Sequence, residues 1–450
     1  MNSKAIHSKR IITPTGILEG FVIIREGRIV DVLPNIPEGI EVIEVGNKIL
    51  MAGVIDTHVH INEPGRTDWE GFHTATLSAL AGGVTTLVDM PLNSTPVTTT
   101  VQALMLKIKA TSDQLHANCG FWGGIIPSNE SDIQPLIDHG VLGFKAFLTH
   151  SGIDEFPNVN ESDLRKVMPL LSKANLPLLV HCELEEHDEI ALDVFVNNED
   201  GNRSYHNYLN SRPRKWEDDA VNLMIRLCEE YNCRVHIVHL SSSGSLAAIK
   251  AAKDKTLRLT VETAQHYLYF DAERIRPGKT EYKCAPPIRE HENNDQLWDA
   301  LKKGFIDFVA TDHSPCPPAL KEMESRDFTK AWGGISSIQF ALPALWTAAK
   351  SRGCHINDIA KWLCEKPAKL AGLDKQKGFI SKGYDADLIV WDDERSLKVT
   401  PDIILHKHKV TPYFNETLFG IVEKTFIAGE LVFDDGSFVL NQGKIILSNT

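Results

Sequence analysis

The sequence predicts an α/β fold, a (β/α)8 TIM-like barrel with a small β-sandwich domain formed from both chain ends, on three observations. Eight short apolar segments between residues 49 and 313 alternate with longer amphipathic stretches, the pattern of strands and helices that implies a parallel sheet. Their span suits a barrel, whose usual size is about 250 residues. Short strand-like segments with Gly/Pro turns occupy the first fifty residues and return after Gly383, so the two ends can pair as one discontinuous β unit. The expected boundaries are 1–50 and 381–450 for the two parts of that unit and 51–380 for the barrel.

In chain order, Gly20 to Ile24, a turn at Glu26-Gly27-Arg28, Ile29 to Leu33 and Glu41 to Val45 read as the first β elements. The barrel strands are expected at Ile49 to His60, Val84 to Met90, His116 to Ile125, Val141 to Leu148, Pro177 to Glu183, Arg234 to Ser241, Leu257 to His266 and Phe305 to His313. Asp387 to Trp391, Glu423 to Ala428 and Glu430 to Phe433, with Gly429 at a turn, complete the β unit. The sequence contains no internal repeat, low-complexity segment or long linker.

Composition narrows the function classes. A hydrophobic content of 42% with 24% charged residues is that of an ordinary globular protein. The net charge of −13 without a Lys/Arg cluster offers no electrostatic footprint for nucleic acid or anionic membrane, and neither partner is expected. No apolar run approaches the roughly 18 residues of a membrane span. Met1 to Arg10 lacks a signal-peptide core, so the cytoplasm is the expected compartment. Eight cysteines are scattered singly with no CxxC pair, and buried reduced thiols are expected.

The chemistry lies in polar residues at the ends of these apolar strands. His58 and His60 close the first, and side chains two apart in a strand point the same way, so both imidazoles can face one ion. His181 ends the fifth strand, His239 the sixth and Asp312 the eighth. In a barrel those ends form the active-site face. Lys145, inside the fourth strand, is unusual, because burying an ammonium is costly. It either snorkels from the strand end or gains CO2 as a carbamate, whose two anionic oxygens can bridge two cations.

Ala52-Gly53-Val54-Ile55-Asp56-Thr57-His58-Val59-His60, Gly143-Phe144-Lys145, His181, His239, Ala310-Thr311-Asp312-His313 and Gly383-Tyr384-Asp385-Ala386-Asp387-Leu388-Ile389-Val390 resemble, in order, the motifs of the cyclic amidohydrolases of the amidohydrolase superfamily. The resemblance implies a two-metal site. His58 and His60 would bind one ion, His181 and His239 the other, carboxylated Lys145 would bridge them, and Asp312 would complete the first. A bridging hydroxide would be the nucleophile and Asp312 the general acid/base. Zinc suits imidazole and carboxylate ligands best, although manganese, cobalt or nickel fit the same set. The resemblance also implies a homotetramer.

Departures within that branch bear on the substrate. Asn62 stands where dihydroorotases carry an arginine, and His150 where hydantoinases and dihydropyrimidinases carry a tyrosine. Instead His60-Ile61-Asn62-Glu63-Pro64-Gly65-Arg66, Ser151-Gly152-Ile153-Asp154-Glu155-Phe156-Pro157, Ser211-Arg212-Pro213 and Trp332-Gly333-Gly334-Ile335 resemble the allantoinase group, implying a small cyclic ureide as substrate. A hydantoinase or dihydropyrimidinase is the alternative. A dihydroorotase is less favoured because of Asn62, and a non-catalytic scaffold homologue because all six metal positions are filled.

Asn93, after strand two, is the first candidate to contact substrate, followed by Arg66, His150, Ser314 and the backbone at Cys284-Ala285. For each, a loop residue satisfying its own backbone is the plain alternative. His406-Lys407-His408 repeats the paired spacing but is expected in a solvated loop. His73, His187, His206, His236 and His266 are expected to be positioning, core or surface residues, with His236 facing away from His239.

Overall fold

The computed structural model describes residues 3–36, 38–185 and 200–448. The N-terminal strands are β1 (Lys4–Thr13), β2 (Gly16–Arg25), β3 (Arg28–Leu33), β4 (Glu41–Glu44) and β5 (Ile49–Ala52). The barrel strands are β6 (Val54–Val59), β7 (Val84–Asp89), β8 (Asn118–Phe121) continued by β9 (Gly123–Gly124), β10 (Phe144–Phe147), β11 (Pro177–His181), β12 (Arg234–Ile237), β13 (Leu259–Ala264) and β14 (Phe308–Ala310). Last come β15 (Leu388–Lys398), β16 (Thr417–Ile427), β17 (Glu430–Asp434), β18 (Ser437–Phe438) and β19 (Ile445–Ile446).

Strands from both chain ends form one nine-stranded sheet in the order β18-β17-β16-β15-β5-β1-β2-β3, with β4 beside β1. Within it β15 lies antiparallel to β5, Leu388 opposite Ala52. The barrel strands pair in parallel from β6 to β14, and a parallel bridge from Val59 to His313 joins the two ends of the series. The barrel with a β unit drawn from both termini is thus present. β19 departs from that unit and lies beside β8.

Two differences from the sequence reading have local causes. The segment expected as one strand, Ile49 to His60, is divided at Gly53: β5 belongs to the outer sheet and β6 to the barrel. A Cβ on Gly53 would stand 2.1 Å from Thr85 Oγ1, so the chain crosses between the sheets where only glycine fits. β1 was not expected at all. Its register shifts between Ser8 and Ile11, and this bulge breaks the two-residue alternation by which a strand is recognised.

Most apolar side chains of the outer sheet, the helices and the outer barrel faces join one core, while a second cluster, including Ile55, Val88, Leu179, Phe308 and Leu370, is separate. Alternation along each barrel strand sends one set of side chains outward to the helices and the other inward. The helix Lys366–Leu370 meets the N-terminal end of β12, where the Arg234 guanidinium donates to the carbonyls of Lys369 (3.3 Å) and Leu370 (3.0 Å). The opposite, C-terminal end carries the site. Seven of the eight cysteines are buried and all are free, as expected. Among the described residues no helix is long and apolar enough to cross a membrane.

Candidate metal centre

All six residues expected as ligands converge at the C-terminal ends of the barrel strands. His58 Nε2 lies 3.3 Å and His60 Nε2 3.5 Å from Asp312 Oδ1. His181 Nδ1 and His239 Nε2 stand 3.0 Å apart, and the rings of His58 and His239 are 5.2 Å apart. One ligand atom from each of His58, His239 and Asp312 lies within 4.8 Å of the others. Lys145 is fully buried on β10, its Nζ without a hydrogen-bond partner and 4.9 Å from the Phe147 ring centre.

Local backbone geometry aims these groups. β12 ends at Ile237 and β14 at Ala310, so His239 and Asp312 sit just past their strands. His239 (φ +39°), Asp312 (φ +46°), Asn62 (φ +68°) and Asn93 (φ +69°) all adopt left-handed backbone, a conformation that costs a non-glycine residue about 1 kcal/mol and clusters at functional sites. The first and last barrel strands are stapled behind the site. Asp56 accepts from the His58 amide (3.1 Å) and from the amide (3.3 Å) and hydroxyl of Thr311, and the His60 amide donates to the His313 carbonyl (2.8 Å).

Three of the imidazoles are held neutral. Burial, reinforced by the Lys145 ammonium and neighbouring histidines, depresses His58 and His239 well below the usual histidine range and lowers His181. A neutral imidazole has the free lone pair that a metal requires. Burial also pulls Lys145 down to about 8, toward the uncharged amine that can add CO2. Four imidazoles, a carboxylate and a buried amine without a partner form a donor set suited to divalent cations.

A cavity of about 460 Å³ opens over these residues. Of the expected substrate contacts, Asn93, His150 and Ser314 line it. The Asn93 side-chain amide stands 3.2 Å from His60 Nδ1. His150 Nδ1 accepts from the Gly152 amide (3.1 Å) at the mouth. Gly334 lies against Ser314, whose Oγ would be 2.6 Å from any Cβ there. Two expectations are corrected. Arg66 does not line the cavity, because its guanidinium is drawn to Glu155 Oε1 (3.0 Å) beside the Trp69 ring. The Cys284 side chain is buried away from it and its carbonyl accepts from Tyr208 Oη (2.6 Å), so Ala285 is the residue of that segment on the wall. Asn62 is also outside the lining, its Nδ2 directed to the Pro315 carbonyl (3.4 Å).

Several residues at the site were not expected there from sequence, although Arg212 and Trp332 belong to segments that carried the resemblance. Phe147 stacks on His181 with ring centres 4.6 Å apart, and Tyr208, Arg212, Lys283 and Trp332 complete much of the wall. Glu183 and Glu262 contact His181 and His58 directly. Both had a readable signal. Glu183 follows His181 at the two-residue spacing that marked His58 and His60, and Glu262 interrupts an apolar strand as Lys145 does.

The discounted histidines divide. His187 lies outside the described residues. His73 and His116 form a hydrogen-bonded pair (2.9 Å) remote from the cavity lining. The solvated loop expected for His406-Lys407-His408 is a correction: His406 is fully buried, its ring 6.0 Å from that of His313. The Lys407 amide donates to Glu70 (3.1 Å), and His408 Nε2 donates to the Asp68 carbonyl (2.7 Å).

Burial, opposed by Glu70, drives His406 down to about 3. Its folded pKa thus lies below the unfolded value of about 6.5, so its contribution to stability is full above pH 6.5 and falls as acidity increases, by up to about 1.4 kcal/mol per pH unit. The thermal midpoint of His406→Gln is therefore expected to drop less between pH 6.5 and 5 than that of the parent protein. Equal slopes would contradict this.

A barrel with ligand-type residues gathered at its C-terminal face defines a class, the barrel proteins with a candidate metal-binding site. The model of the amidohydrolase family matches residues 49–432, and the chain belongs to that family. It is 45% identical to the allantoinase of Streptomyces avermitilis, covering 98% of both chains. It is 44% identical to the allantoinase of Arabidopsis thaliana, over 96% of this chain and 88% of that one. Among solved structures, the L-hydantoinase (dihydropyrimidinase) from Arthrobacter aurescens superposes with a TM-score of 0.92 at 27% identity, over 99% of this chain and 100% of that one.

Proposed function

We propose that this protein hydrolyses the ring amide of allantoin, giving allantoate. The observation that carries the reading is the end-to-end similarity to allantoinases, at 45% identity against 27% for the hydantoinase structure. In this reading His58, His60 and Asp312 would hold one divalent ion, zinc by preference, His181 and His239 would hold the second, and carboxylated Lys145 would serve both. The donor chemistry supports it: the Lys145 amine is buried without a partner, an arrangement that a carbamate shared by two cations would relieve.

Such ions supply a nucleophilic hydroxide at neutral pH and polarise the scissile carbonyl. The protein's own groups do the rest. The Asp312 carboxylate, beside His58 and His60, takes the proton of the nucleophile and returns it to the departing ring nitrogen, one group serving as base and then acid. Asn93 and Ser314 offer polar contacts to the ureide from the cavity wall, and the backbone at Ala285 borders the same space. Asn62 disfavours dihydroorotate, because it places no cation where dihydroorotases hold the substrate carboxylate. The assembly we propose is a homotetramer.

The test is a side-by-side assay of the metal- and bicarbonate-loaded protein on allantoin, hydantoin, dihydrouracil and dihydroorotate. Allantoin is expected to turn over fastest. Faster hydrolysis of hydantoin or dihydrouracil would favour the hydantoinase reading and sink this one.

A further inference from the structure

Two buried carboxylates lie behind the metal-ligand histidines, one for each proposed ion. His58 Nδ1 donates to Glu262 Oε1 at 2.5 Å, leaving Nε2 to face Asp312. Glu262 is itself fixed at both ends: its Oε2 is 3.1 Å from His236 Nε2, and His236 Nδ1 is 2.8 Å from Thr260 Oγ1. On the other side His181 Nε2 donates to Glu183 Oε2 at 2.7 Å, leaving Nδ1 to face His239. Glu183 is anchored in turn by Arg212, whose Nε donates to Oε1 (3.0 Å) and whose Nη2 donates to Oε2. Glu262 and Glu183 are both 0% exposed.

The two histidines thus turn opposite nitrogens inward, Nε2 for His58 and Nδ1 for His181. An imidazole offers a lone pair at only one nitrogen when neutral, and the hydrogen bond at the other decides which. A carboxylate accepting that hydrogen fixes the tautomer and the ring angle and makes the ligand nitrogen more basic.

We propose that Glu262 and Glu183 are positioning residues of the metal centre, each presetting one histidine of one ion's pair. The inference rests on the two-ion reading above. It also gives His236 a use: it serves the centre through Glu262.

The test is metal affinity, measured on metal-free protein by competition with a chelator for each of two zinc equivalents, with no assay of activity. Glu262→Ala is expected to weaken one equivalent by about 10–100-fold, and Glu183→Ala the other. Glu262→Gln, which keeps an acceptor for His58 Nδ1–H but not the charge, is expected to fall between parent and Glu262→Ala. It also decides the matter if the alanine variant does not fold. The control is Glu217→Gln, since Glu217 is equally buried but accepts from the Ser241 (2.6 Å) and Ser242 (2.8 Å) amides instead. Parent-like affinity in Glu262→Ala or Glu262→Gln, or an equal loss in Glu217→Gln, overturns the proposal. A parent protein that binds no zinc overturns the two-ion reading itself, and this inference with it.

Discussion

Lys145→Ala is expected to bind neither ion tightly and to lose roughly a thousandfold or more in kcat/KM, because it removes the only side chain proposed to touch both metals. The reason is on β10: Lys145 Nζ is buried among His58, His239, Asp312 and Glu262 yet bonded to none of them. A structural lysine so placed would need a partner, since an unpaired buried ammonium costs several kcal/mol. It follows that Lys145→Met, which keeps the apolar stem and drops the amine, should leave the metal-free protein at least as resistant to heat as the parent. Metal content and the thermal midpoint of the two variants check both halves. Retention of two tightly bound ions in Lys145→Ala would refute the bridging role.

Asp312→Asn is expected to lower kcat about 10²–10⁴-fold, the usual contribution of a positioned general acid/base, while the ion assigned to His181 and His239 stays bound. Asparagine is the informative replacement. Asp312 sits at φ +46°, a conformation that asparagine tolerates far better than other residues, so the turn after β14 survives and the loss reports on the proton-carrying oxygen. Steady-state kinetics beside a metal assay separate the two roles. A variant with parent-like kcat would remove Asp312 from the proton transfer.

Much of this was legible in the sequence because barrel strands announce themselves as apolar segments and because their C-terminal ends share one face. His58, His60, Lys145, His181, His239 and Asp312 each ended or interrupted such a segment, and the fold brings them together. Substrate contacts were harder to read, since loop side chains are aimed by partners far away in sequence. Arg66 was drawn off by Glu155, Cys284 turned inward while Tyr208 took its carbonyl, and His406 was buried under a segment that reads as polar. Glu262 and Glu183 were missed for a different reason. Each was visible as an acid in an apolar setting or at paired spacing, but only the assembled barrel puts them behind His58 and His181.

The central claim, one centre of two ions bridged through Lys145, is tested most directly by anomalous diffraction from crystals of the zinc- and bicarbonate-loaded protein. The account predicts two peaks, one against His58 and His60 and one against His181 and His239, with carboxyl density extending from Lys145 Nζ between them. A single peak, or a bare Nζ beside two, would contradict it.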